Sequence, residues 1–294
     1  MRVIERVDDM QTTALRIREE GQRIGFVPTM GCLHEGHLSL VREARKRADV
    51  TVVSVFVNPT QFGPGEDYAS YPRVFDRDMA LCTQEGVGIL FHPDAKDVYA
   101  PDHSVFVEET RLSIGLCGAS RAGHFRGVAT VVAKLFHIVL PHVAVFGQKD
   151  AQQARVIEQM VRDLNFPLEV VVAPTVREPD GLAMSSRNRH LSQTERRDAA
   201  CLSRGLLNAW ELFASGERAA GALERAVAEQ VHAAGAVIDY VQVIDSTTLN
   251  PVREANQGTL IAVAARIGRT RLIDNLIMRD GAGLRAFVPP RSPG

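Results

Sequence analysis

Residues 50–57 read Val-Thr-Val-Val-Ser-Val-Phe-Val, an apolar run with no charge on either face. A strand of that kind has to be covered on both sides, which is the situation of a parallel sheet between two layers of helices. Shorter runs at Ile24–Val27, Ile89–Phe91, Val143–Phe146 and Leu168–Val172 repeat the signal. Between them, Leu38–Arg47, Arg73–Glu85, Val128–Leu140 and Ala151–Leu164 carry helical spacing. This alternation predicts an α/β, Rossmann-like, doubly wound parallel sheet, with its ligand beyond the carboxyl ends of the strands. After Pro174 the pattern changes to helices over Gln193–Gln230, then strands at Ile238–Ile244, Thr259–Ile267 and Arg271–Ile277. That order predicts a smaller α+β domain, so the expected division is 1–176 and 177–294, with the second domain covering the active site. The Gly- and Pro-rich tail, Gly281–Gly294, is expected to be loose.

Composition removes several function classes. At 45% hydrophobic and 23% charged residues the chain can bury a core and is not disordered. A formal net charge of −1 gives no general attraction to nucleic acid. No apolar run is long enough to span a bilayer, and the charged N-terminus has no secretory h-region. Cys32, Cys82, Cys117 and Cys201 lie far apart without a Cys-x-x-Cys spacing, so a cytoplasmic protein without a disulfide framework is expected.

Four segments carry chemistry. Met30-Gly31-Cys32-Leu33-His34-Glu35-Gly36-His37 follows the first apolar strand and opens a helix, where free N–H groups and the helix dipole favour an anion. His34 and His37 share one face at that spacing, and Gly36 lets a phosphate approach the backbone. The second histidine comes one residue too early for a zinc-protease helix, and the Lys-Ser/Thr of a P-loop is missing. Two exposed histidines near a helix start are the bland alternative. In Asn58-Pro59-Thr60-Gln61, a carboxamide at the end of the second strand can donate and accept without titrating, although Asn-Pro equally marks a turn. Gly147-Gln148-Lys149-Asp150 closes a buried strand. There Lys149 offers a cation to phosphate and Asp150 an acceptor to ribose, or Asp150 merely caps a helix. Met184-Ser185-Ser186-Arg187 sets two hydroxyls beside a guanidinium, which suits phosphate or an ordinary polar loop.

His-x-Gly-His after one strand and Met-Ser-Ser-Arg after the last resemble the HIGH and KMSKS signatures of nucleotidyl-transfer enzymes. Here Ala183 and Ser186 stand where KMSKS has its lysines, and Arg187 where it ends in Ser. Longer blocks, VPTMGCLHEGHLSLV, VSVFVNPTQFGPGEDYASYPR, HFRGVATVV, FGQKDAQQ and TVREPDGLAMSSRNRHLS, together resemble the pantothenate synthetase (pantoate–β-alanine ligase) family. The TRLIDN run at Thr270–Asn275 adds to the likeness.

The resemblance implies ligation of (R)-pantoate to β-alanine through a pantoyl-adenylate, with ATP split to AMP and pyrophosphate. It implies ATP binding by Met30 to His37, by Gly147, Gln148, Lys149, Asp150 and Val176, and by Met184, Ser185, Ser186 and Arg187. Among these, His34, His37, Lys149, Ser185, Ser186 and Arg187 are the expected catalytic groups. Gln61 and Gln153 are expected to bind pantoate, with Gln61 also beside β-alanine, and Tyr71 and Arg121 are weaker carry-overs. Mg2+ is expected to ride on the ATP phosphates with no protein ligand specified. A homodimer is also implied. The Gly63–Ser70 loop is an expected lid.

Overall fold

The computed structural model describes residues 1–279; the tail expected to be loose lies outside them. The chain forms two compact units. The first comprises Met1–Ile114, Gly118–Gly147 and Gln152–Ala173; the second takes Gly115–Cys117, Gln148–Ala151 and the chain from Pro174 onward.

The first unit is built on β1 (Arg2–Ile4), β2 (Ile24–Thr29), β3 (Val50–Val55), β4 (Ile89–Phe91), β5 (Val143–Gly147) and β6 (Glu169–Ala173). They form one sheet in the order β1-β4-β3-β2-β5-β6, every pair parallel. The helices are α1 (Val7–Glu19), α2 (Glu35–Arg45), α3 (Phe75–Gln84), the short α4 (Ala95–Val98) and α5 (Cys117–Ser120), α6 (His124–Val139) and α7 (Ala151–Asp163). One face of the sheet presents Val27, Val53, Val55, Val143 and Val145, which pack with Leu40, Val41 and Ala44 of α2 and Cys82 of α3. On the other face, Phe26 and Phe146 each meet the ring of Phe136 of α6 edge-on. The valine-rich strands therefore are covered twice, as their composition demanded. Chain order reverses at β2, which lies between β3 and β5, so the ends of β2 and β5 flank a topological switch point.

The second unit has β7 (Val237–Ile244), β8 (Leu260–Ile267) and β9 (Thr270–Ile277) in an antiparallel sheet, with α8 (Gln193–Asp198), α9 (Cys201–Ala214) and α10 (Ala220–Ala233). Leu202, Leu206, Phe213, Leu223 and Val227 of the helices form one core with Ile261, Val263, Leu272 and Leu276 of the sheet. Gly205 permits the close approach at that contact, where a Cβ would lie 3.0 Å from the backbone of Val227. The opposite sheet face, with Ile244, Leu260 and Ala262, packs on Leu116 and Ala151. The architecture is thus a Rossmann-like parallel sheet plus a small α+β unit. Among the described residues no helix is long and apolar enough to cross a membrane.

Some boundaries differ from the sequence expectation. Strand β1 and helix α1 were not anticipated, and α1 buries Met10, Thr13, Ala14 and Ile17, a weakly apolar stripe. Strand β2 continues through Pro28 to Thr29; Pro28 lies past Gly25 and Phe26, the residues paired with β5. Strand β3 ends at Val55, and α2 begins at Glu35. Helix α6 starts at His124, four residues before the expected Val128, with Gly123 in the left-handed region just ahead of it.

Candidate active site

In the first unit the turn after β2 is shaped by Gly31, at φ +82°, whose missing Cβ would lie 2.9 Å from Val55 and 3.0 Å from the Asp78 carboxylate. That carboxylate, on α3 and 1% exposed, accepts from the Cys32 and Leu33 amides at 2.7 Å each. The Thr29 hydroxyl accepts from the Gly31 amide at 3.1 Å while donating to the Ser54 carbonyl. The His34 amide donates to His37 Nδ1 at 3.3 Å, closing a capping box at the start of α2. The amides of Cys32, Leu33 and His34 are all committed to side chains, because a buried turn cannot leave them unpaired. What the turn holds out is the pair of imidazoles, both part-exposed, with ring centroids 4.0 Å apart. Cys32 and Leu33 are 1% exposed and pack into the core. Glu35 is bound by Arg42, which also holds Glu85. Burial and the nearby Asp78 and Glu85 charges push the Cys82 thiol up to about 12, so it stays inert.

Gln61 ends a 3-10 turn, Pro59–Gln61, and is 8% exposed. Its Oε1 accepts from Asn58 Nδ2 at 3.0 Å, and its Nε2 lies 3.2 Å from Met30 Sδ. Asn58 is itself fixed, since its Oδ1 accepts from the Tyr99 hydroxyl at 2.8 Å and its Nδ2 reaches the Gly127 carbonyl. The carboxamide orientation of Gln61 is thus set by a buried relay. Helix α6 passes so close that a Cβ on Gly127 would lie 2.3 Å from the Thr60 carbonyl oxygen. Arg121 forms a two-pronged ion pair with Glu66 at 2.7 Å per contact, anchoring the Gly63–Ser70 loop. Burial raises the Glu66 carboxyl, but the Arg121 hydrogen bonds and charge, with the Gly63 amide, outweigh it and hold the group at about 2. Tyr71 is buried with its ring edge-on to Phe62. Gln153 is half-buried on α7, next to Gln152, whose Nε2 donates to the Leu112 carbonyl. Gly147 is the last residue of β5.

In the second unit Gln148, Lys149 and Asp150 form a 3-10 turn running directly into α7. Lys149 Nζ is 3.6 Å from the Asp150 carboxylate. Asn275 of β9 holds this turn. Its Nδ2 donates to the carbonyls of Gln148 and Lys149 at 2.9 Å each, and its Oδ1 accepts from Gln148 Nε2 at 2.9 Å. Beside it, Asp274 receives two hydrogen bonds from Arg177, at 2.6 and 2.9 Å, and both side chains are 1% exposed. Arg177 also donates to the Gly181 carbonyl, and Val176 accepts from the Met184 amide, which closes a hairpin. Ser185, Ser186 and Arg187 follow at its end, all part-exposed, with Ser185 Oγ accepting from the Arg187 amide at 3.3 Å. Asp78, Asn58, Tyr99, Arg177 and Asn275 are the supporting groups that sequence reasoning did not single out. Only the TRLIDN run hinted at the last.

The Pantoate-beta-alanine ligase family model matches residues 2–277. The pantothenate synthetase of Thermotoga neapolitana is 56% identical over 95% of this chain and all of its own length. That of Geobacter sulfurreducens is 52% identical over 95% of this chain and 99% of its own. The crystal structure of pantothenate synthetase from Thermus thermophilus superposes with a TM-score of 0.90 at 46% identity, covering 95% and 99% of the two chains. The pantoate-beta-alanine ligase of Francisella tularensis, solved with beta-gamma ATP and beta-alanine, gives 0.78 at 34% identity over 95% and 98%. With a fold, a motif order and a whole-length match in agreement, the chain belongs to the pantoate–β-alanine ligase family.

Proposed function

We propose that this chain joins (R)-pantoate to β-alanine, forming pantothenate through a pantoyl-adenylate and releasing AMP and pyrophosphate from ATP. The observation that carries the reading is the family match across residues 2–277, which takes in every chemistry-bearing segment described above. A carboxylate is a poor acylating agent because its leaving oxygen is too basic. Adenylation replaces that oxygen with AMP, and the amine of β-alanine then displaces it.

The first step brings a carboxylate to an α-phosphate, so like charges must be offset by positioned cations and donors. We assign ATP to Met30 through His37 and Gly147 in the first unit, and to Gln148, Lys149, Asp150, Val176 and Met184 through Arg187 in the second. Within that set His34 and His37 donate to phosphate oxygens, Lys149 and Arg187 offset charge, and Ser185 and Ser186 add hydroxyl donors. Leu33 and Cys32 contribute shape alone, since both are buried and their amides are taken by Asp78. Gln61 and Gln153 are assigned to pantoate, with Gln61 also beside β-alanine. The second step is carried by proximity, which can supply roughly 7–11 kcal/mol. Mg2+ is assigned to the ATP phosphates, since it keeps several waters and needs few protein ligands. The reading includes a homodimer and a cytoplasmic location, the location in keeping with the wide spacing of the four cysteines along the chain.

The test is to incubate the purified protein with ATP, pantoate and β-alanine and to assay AMP. AMP release that requires both substrates supports the ligase. Stable transfer of an adenylyl group to one substrate, with no AMP formed, overturns it. Light scattering at assay concentration checks the dimer.

A further inference from the structure

Strand β9 carries two buried polar residues in succession, Asp274 and Asn275, in a unit whose sheet is mostly apolar on the faces it buries. Consecutive strand residues point to opposite faces. Leu272 and Leu276 join the helical core, on the same side as Asp274, while Ile277 packs on the cluster of the other face, the side of Asn275. Each polar residue therefore displaces an apolar one from a buried position, at a cost unless its hydrogen bonds are complete. They are complete, and what they hold is specific. Both amide hydrogens of Asn275 go to the carbonyls of Gln148 and Lys149, the two peptide groups that flank the Lys149 Cα. Fixing the planes on both sides of one Cα fixes its φ and ψ, and with them the direction in which its side chain leaves the backbone.

Asn275 is itself immobilised from both ends. Its amide donates to the Asp274 carboxylate at 2.8 Å, and its carbonyl lies 3.5 Å from Arg177 Nη2. The buried Arg177–Asp274 pair thus clamps the residue that aims Lys149. A surface lysine would need no such arrangement, since a flexible four-carbon stem finds a phosphate by itself. We infer that Asn275 is a positioning residue for the adenylation step, acting through Lys149 and held in place by the Arg177–Asp274 ion pair. This inference rests on the ligase reading of the same site.

The test uses the full chain and separates the two half-reactions. Pantoate-dependent exchange of labelled pyrophosphate into ATP reports adenylation alone. Pantothenate formation from supplied pantoyl-adenylate and β-alanine reports the second step alone. Asn275→Asp keeps the shape but presents acceptors to two carbonyls; Asn275→Ala carries the same test without a buried charge should the first variant not fold by circular dichroism. The expected result is a loss of about 10²-fold in exchange, the scale of a misplaced group, with the pantoate KM unchanged and the second half-reaction retained. Added to Lys149→Ala, the substitution should cause no further loss, because the group it positions is already gone.

Exchange at the wild-type rate, equal loss of both half-reactions, or a full additional loss on top of Lys149→Ala would overturn the inference while leaving the ligase reading intact. A wild-type protein with no pantoate-dependent exchange removes the reading, and the inference with it.

Discussion

The clasp under the histidine turn gives the sharpest stability prediction. Asp78 binds two adjacent amides with its two oxygens, each at 2.7 Å and both out of contact with water. Asp78→Asn keeps the volume but offers one acceptor and turns an NH2 group toward the other N–H. One charge-assisted bond worth about 1.5–3 kcal/mol is lost, and a buried donor is left facing a donor. The expected net loss is about 2–4 kcal/mol, a large share of the stability of a unit this size. In urea, monitored by far-UV circular dichroism, the midpoint should fall by about 1 M or more. Because the same clasp sets the turn that carries His34 and His37, the adenylation rate should also drop by about 10²-fold. An unchanged midpoint together with an unchanged rate would refute the clasp, and no reassignment of the histidines could rescue it.

Other outcomes follow from the same geometry. His37→Ala should lower pantoate-dependent pyrophosphate exchange by about 10²–10⁴-fold if the imidazole is a positioned donor; a near-normal rate removes it from the chemistry. Gln153→Ala should raise the KM for pantoate more than that for ATP, and equal changes would contradict a pantoate role. Gly127→Ala drives a Cβ to 2.3 Å from the Thr60 carbonyl oxygen, so backbone must move. A loss of about 1–3 kcal/mol and a weakened pantoate KM are expected, and a stable, fully active variant would show the contact to be looser. The Glu66 carboxyl falls from 4.5 unfolded to about 2 folded, so its contribution is present above pH 4.5 and lost as pH falls toward 2. Glu66→Gln should flatten the acid limb of a stability–pH profile over that window. An acid limb identical to that of the wild type would rule out the Arg121 pair as its source.

The parallel sheet was legible because Val50–Val55 and its neighbours have no polar face to give to solvent, and apolar runs of that length leave few alternatives. Helix α1 was not, because two of its four buried positions are Thr13 and Ala14, which write a faint stripe among charges. The early start of α6 is hidden by Gly127, a poor helix former that here allows close packing against Thr60. The histidines and the Ser-Ser-Arg segment are candidates on local spacing, although the latter reads equally as a polar loop until the longer blocks are considered. The residues that support them could not, for a different reason. Asp78 in a helix's first turn looks like any dipole-favouring acid, and its partners lie 45 and 46 positions away. A single sequence carries no mark of such a pairing.

The distance in sequence between Lys149 and its brace bears on how the protein is made. Gln148 and Asn275 are 127 positions apart, and Arg177 and Asp274 are 97 apart. On a ribosome the six strands of the parallel sheet emerge by Ala173 and can pair while synthesis continues, as domains generally form in chain order. The turn at 148–150 cannot close on β9 until Thr270–Ile277 has cleared the exit tunnel, about a hundred residues after the sheet is complete. A nascent chain thus holds its sheet long before it holds the corner assigned to the nucleotide. Chains truncated before Thr270 keep the parallel sheet but lack the brace of Lys149, and should hold ATP more weakly than chains that include β9.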